Sequence, residues 1–141
     1  MTNIAIVYYS ATGNIAAMAH AIGEGAASIG AEVRVRRVAE TAPVEAIASN
    51  PKWQAHFDEM ANEPIATLED LEWADGIALG SPTRFGGPAS QLKSFLDTTG
   101  GLWIKGALVN TVGTAFTTAS TAHGGLESTT LAINNHFYHW G

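Results

Sequence analysis

The chain has 141 residues, 46% of them hydrophobic and 14% charged, with a formal net charge of -6 and no cysteine. That length and balance suit one globular domain with a buried core, while the missing thiols exclude disulfides, thiolate nucleophiles and cysteine-held metal clusters, so any redox chemistry must come from a bound cofactor. The acidic balance makes nucleic acid and anionic membranes poor partners, and no apolar run approaches the roughly 20 residues of a membrane-spanning helix.

The first element predicted is a strand at Ile4-Ala5-Ile6-Val7-Tyr8-Tyr9, a continuous apolar run of the kind buried on both faces of a parallel sheet. It starts directly after Met1-Thr2-Asn3, with no basic region or cleavage site, so a cytoplasmic protein with no membrane insertion is expected. After a turn at Ser10 to Gly13, Ile15, Met18, Ala19, Ile22, Ala26 and Ile29 recur at helical spacing, and Gly30 stands at the helix end. Ala31 to Val38 alternates valine with charge, which predicts a half-exposed strand near a sheet edge with Arg34, Arg36 and Arg37 on a solvated face. Residues 40 to 70, punctuated by Pro43, Pro51 and Pro64, read as a helical insertion or lid, and Trp53 and Phe57 read as its core-facing stripe or as part of an interface. Thr67-Leu68-Glu69-Asp70 is a helix start in which Thr67 caps Asp70. A strand at Gly76 to Gly80, a turn-rich loop at Ser81 to Pro88, a helix at Ser90 to Asp97, a strand at Val112 to Phe116 and a helix from about Leu126 to Trp140 complete the pattern. Alternation of this kind predicts an α/β fold with a doubly wound parallel sheet, as one domain over residues 1–141.

Such sheets bind ligands beyond the carboxyl ends of their strands. Three loops there hold most of the small, polar and glycine-rich composition: Ser10-Ala11-Thr12-Gly13-Asn14-Ile15, Ser81-Pro82-Thr83-Arg84-Phe85-Gly86-Gly87, and Thr117-Thr118-Ala119-Ser120-Thr121-Ala122-His123-Gly124-Gly125. In the first, two hydroxyls and a glycine precede a helix whose free N–H groups favour an anion such as a phosphate monoester. The same residues also suit a simple helix cap. No lysine follows the glycine and the three-glycine dinucleotide spacing is missing, which disfavours a triphosphate or a Rossmann-bound dinucleotide. The third loop has the hydroxyls and glycines to present backbone amides to a planar polar ring, or to be a plain surface loop. In the second, Pro82 stiffens the chain, Arg84 offers a cation and Gly86-Gly87 permit close backbone approach.

Tyr8-Tyr9-Ser10 with Gly13, Ser81-Pro82-Thr83-Arg84-Phe85-Gly86, and Phe95-Leu96-Asp97-Thr98-Thr99-Gly100-Gly101-Leu102-Trp103 resemble the WrbA family of flavodoxin-like NAD(P)H:quinone oxidoreductases. The resemblance implies a non-covalent FMN, its phosphate in the Ser10 to Ile15 loop and its ring between Pro82, Thr83, Arg84 and Phe85 on one side and Thr118, Ala119, Ser120, Thr121, Ala122 and His123 on the other. It implies two-electron transfer from NADH or NADPH to a quinone, giving the hydroquinone, with no covalent catalytic side chain; His136 and His139, a turn apart, could mimic a metal pair, but no third ligand accompanies them, so no metal is expected. It also implies a homotetramer in which Trp103 lines the quinone and nicotinamide pocket and His139 reaches the flavin, across a subunit interface.

The chain departs from that family at Thr12, where relatives often carry an aromatic ring that helps hold the nicotinamide, and in the third loop, which is less glycine-rich. A flavodoxin-like sheet also has a fifth strand and a closing helix, so a C-terminally incomplete domain is expected, with the fourth strand as an apolar edge. A one-electron carrier and a non-catalytic flavin-binding or interaction protein are the competing functions.

Overall fold

A computed structural model describes all 141 residues. Strand β1, Asn3–Tyr8, is central and parallel to both neighbours: β2, Glu32–Arg37, lies on one side and β3, Gly76–Gly80, on the other. Two short strands, β4 at Thr83–Arg84 and β5 at Gly87–Pro88, form a separate antiparallel hairpin. Strand β6, Val112–Phe116, pairs with β3, so the four-stranded sheet has the order β2-β1-β3-β6, all parallel. Helix α1, Asn14–Ser28, follows β1; α2, Val44–Ala48, and α3, Pro51–Glu59, form the insertion; α4, Leu68–Trp73, leads into β3. Helix α5, Ser90–Leu96, continues through a 3-10 turn into α6, Gly100–Ile104, and α7, Leu126–Trp140, ends the chain.

Successive side chains of β1 point to opposite faces. Ile6 and Tyr8 pack with Ala78 and Phe116 against Ile15, Ala16 and Ala19 of α1. Ala5, Val7 and Tyr9 pack with Ile77 and Leu79 against Leu71, Leu92, Leu96 and Ile133 from α4, α5 and α7. Burial on both faces explains the uninterrupted apolar runs of β1 and β3. Gly80 is required by packing, since a Cβ there would collide with the Phe116 ring.

Three expectations need correction. The arginines of β2 are only partly exposed and are engaged: Arg34 Nη1 and Arg36 Nε lie 3.1 and 3.2 Å from Asp70 Oδ1, and Arg34 also sits 4.1 Å over the Trp73 ring. Asp70 is itself buried, so its charge requires such partners. In α3 the buried residue is His56, whereas Phe57 is exposed and Trp53 is half-buried with its indole N–H committed to Glu40. The helix therefore turns a polar, hydrogen-bonding edge towards the domain. The second loop is also more ordered than a turn-rich segment suggests, because it folds into the β4–β5 hairpin.

Candidate functional site

The register brings three strand ends level: Tyr8 pairs with Gly80, and Gly80 with Phe116. The loops that follow stay joined beyond the sheet, through Tyr9 N–H to Gly80 O at 3.0 Å, Ser81 N–H to Phe116 O at 3.2 Å, and Thr83 N–H to Thr118 O at 3.3 Å. They enclose a cleft between β1 and β3, the place where strand order reverses and where open α/β sheets bind ligands.

One lobe of the cleft, about 490 Å³, is lined by Ser10, Ala11, Thr12, Asn14, Ile15, Pro82, Arg84 and Thr118. A second, about 580 Å³, shares five of these residues and extends along Thr83, Ala119 and Ser120.

Helix α1 starts in this cleft without a cap. Gly13 occupies the capping position with φ of 108°, no side chain caps the helix, and its first turn holds no acidic residue. Ser10 Oγ is spent on Gly13 N–H, at 3.1 Å, which braces the loop and leaves the helical amides beyond it free. Free N–H groups with the positive end of the helix dipole make an anion site. At β6 the Thr117 hydroxyl is buried with no hydrogen-bond partner. It lines neither lobe of the cleft, whereas the next residue, Thr118, lines both.

The hairpin wall is fixed from behind. Thr83 Oγ1 accepts from Gly86 N–H at 3.2 Å and from the Thr129 hydroxyl of α7 at 2.9 Å, and Ser81 Oγ accepts from Ala89 N–H at 2.8 Å. Phe85 at the hairpin tip has φ of 53° and is fully exposed. Thr121, Ala122 and His123 are exposed and lie outside the cleft lining, with His123 also at positive φ.

Trp103 and His139 stand elsewhere. They share a shallow apolar depression with Leu96, Thr99, Gly100 and Trp140. Helix α7 begins against the hairpin and rises about 1.5 Å per residue, so His139 lies roughly 20 Å from that start, out of reach of its own chain's cleft.

The model of a family described as NADPH-dependent FMN reductase matches residues 2–140. An NAD(P)H dehydrogenase (quinone) from Deinococcus radiodurans is 46% identical over 138 residues, covering 98% of this chain and 69% of the relative. One of the same name from Azorhizobium caulinodans is 47% identical over 141 residues, covering 100% of this chain and 68% of the relative. Among solved structures, a WrbA-like flavodoxin from Agrobacterium tumefaciens superposes with a TM-score of 0.71 at 25% identity, over 100% of this chain and 74% of that one. An archaeal flavodoxin superposes with a TM-score of 0.63 at 22% identity, over 99% of this chain and 76% of that one, a likeness of fold. The switch-point cleft, the open start of α1 and these matches together assign the chain to the family of NADPH-dependent FMN reductases, in its WrbA-like, flavodoxin-fold branch.

Proposed function

We propose that the chain binds FMN and carries two electrons from NADH or NADPH to a quinone, giving the hydroquinone. The observation that carries the reading is the cleft itself: an uncapped helix start at one end and a ring-sized space between Pro82–Arg84 and Thr118–Ser120 at the other. The names of the relatives, similar over 98% and 100% of this chain, supply the quinone and the nicotinamide reductant. FMN, when bound, supplies the hydride-accepting centre. The protein's own part is to bind, orient and exclude. The amides of Asn14 to Ala16 hold a phosphate against the chain's net charge of -6, and Arg84 adds the one cation of the cleft lining. Thr118 offers its hydroxyl to the polar edge of the ring. Pro82 and the braced Thr83 hold one wall rigid, so the ring face meets a fixed surface.

The domain works in the cytoplasm as a homotetramer. Trp103 and His139, too far from their own cleft, are available to complete that of a neighbouring subunit, and Phe85 is free to meet that neighbour. The test is turnover by the FMN-loaded protein. NADH or NADPH oxidation should be fast with a quinone, slow without it, and lost when FMN is stripped. Turnover that survives stripping overturns the proposal, and one-electron transfer to a protein acceptor with no quinone reduction would favour the carrier.

A further inference from the structure

A half-buried carboxylate stands behind the cleft, and none of its hydrogen-bond partners lines it. Glu40, in the loop after β2, accepts five hydrogen bonds: Oε2 from the Tyr9 hydroxyl at 2.7 Å and Trp53 Nε1 at 3.1 Å, and Oε1 from Gln91 Nε2 at 2.7 Å and the Thr41 and Ala42 N–H groups at 3.0 Å each. Burial pushes the Glu40 carboxyl up, but the bonds from Gln91, Tyr9, Ala42 and Trp53 outweigh it and hold the group below the usual carboxylate range.

Two of these bonds lead into the cofactor loops. Tyr9 is followed directly by Ser10, whose hydroxyl braces Gly13. Gln91 lies in the first turn of α5, and that helix is tied through Ala89 N–H to Ser81 Oγ, where the hairpin loop begins. One carboxylate thus links the backs of both cleft walls, while its bond from Trp53 ties in α3 of the insertion.

We infer that Glu40 is a positioning residue for the cofactor, setting the spacing between the Ser10–Ile15 loop and the Pro82–Arg84 loop through Tyr9 and Gln91. The inference rests on the FMN reading above. A carboxylate is needed because all its partners donate, and neither an indole N–H nor a backbone N–H can accept. Glutamine at this place would set an N–H against an N–H on one side of the group.

The experiment titrates the apo-proteins with FMN, read by quenching of flavin fluorescence, and measures their melting temperatures without FMN. Glu40→Gln should weaken FMN binding about tenfold or more. Tyr9→Phe and Gln91→Ala should each weaken it by about threefold to tenfold, and neither should add a further loss on top of Glu40→Gln. Trp53→Phe should lower the apo melting temperature and cost less FMN affinity than either of the other arms, because Trp53 neither lines the cleft nor adjoins a residue that does. An affinity for Glu40→Gln equal to that of the wild type overturns the inference. So does a Trp53→Phe loss as large as those of the other arms, which would mean general stability alone is being read. If Glu40→Gln does not fold, the Tyr9→Phe, Gln91→Ala double variant decides: a loss smaller than the sum of the singles supports the tie, and additive losses overturn it. A wild-type protein that does not bind FMN overturns the functional reading first.

Discussion

Helices α1 and α4 both follow a turn into an amphipathic run, yet their starts are built in opposite ways. At α4 the Thr67 side chain accepts from Asp70 N–H at 3.3 Å, and Asp70 Oδ2 accepts from Thr67 N–H at 3.0 Å, a closed capping box with Glu69 and Asp70 adding negative charge to the first turn. At α1 a glycine stands in the capping position, no side chain closes the turn and no acid is present. The α4 start meets its own hydrogen-bonding needs. The α1 start is left for something else to complete, and the difference marks where this fold gives up local stability for a binding site.

The sharpest way to break the contrast is to give α1 the charge that α4 already has. Asn14→Asp places a carboxylate at the open start, and it should weaken FMN binding by on the order of 2 kcal/mol, about thirtyfold. The same change should raise apo stability by about 0.3–1 kcal/mol, since the helix dipole favours the charge. Affinity from fluorescence titration and stability from urea unfolding of the apo-protein check the two opposite signs. The reciprocal change, Thr67→Ala, should lower stability by about 1 kcal/mol and leave FMN affinity unchanged. The same two measurements on that variant check it.

The smallest effects come with pH. Burial pushes the Asp70 carboxyl up, but bonds from Thr67 and Arg34 and the nearby Arg36 charge outweigh it and hold the group low. A group depressed in the folded state adds stability above its unfolded value, about 3.9, and that stability is lost as pH falls through the folded value. His56, 7% exposed beside Gly13, is also depressed, chiefly by burial, with Glu59 and Glu63 opposing and Arg37 assisting. Its unfolded state takes up a proton first, so apo stability should begin to fall as pH drops below about 6.5. Urea unfolding between pH 8 and 5 checks this, and His56→Gln should flatten that part of the profile.

Much of this was legible in the sequence. The apolar runs of β1 and β3, the helical spacing from Ile15 to Ile29 and the Thr67–Asp70 box are local patterns, and locality is what a sequence records well. The three loops of the cleft could be placed at one sheet edge because parallel α/β topology forces them there. The Glu40 tie was not legible, since its side-chain partners Tyr9, Trp53 and Gln91 lie far from it along the chain and none of these types is unusual alone. The β4–β5 hairpin escaped because two-residue strands carry no period. The separation of His139 from its own cleft follows from the direction of α7, which the residues of a motif do not state.

The central claim is that the open start of α1 is a phosphate site for FMN, and titrating the apo-protein with FMN and with riboflavin tests it most directly. The account predicts saturable FMN binding and riboflavin binding weaker by about a hundredfold, the loss of charge-assisted bonds to the phosphate. Equal affinity for the two flavins, or no binding of either, would contradict it.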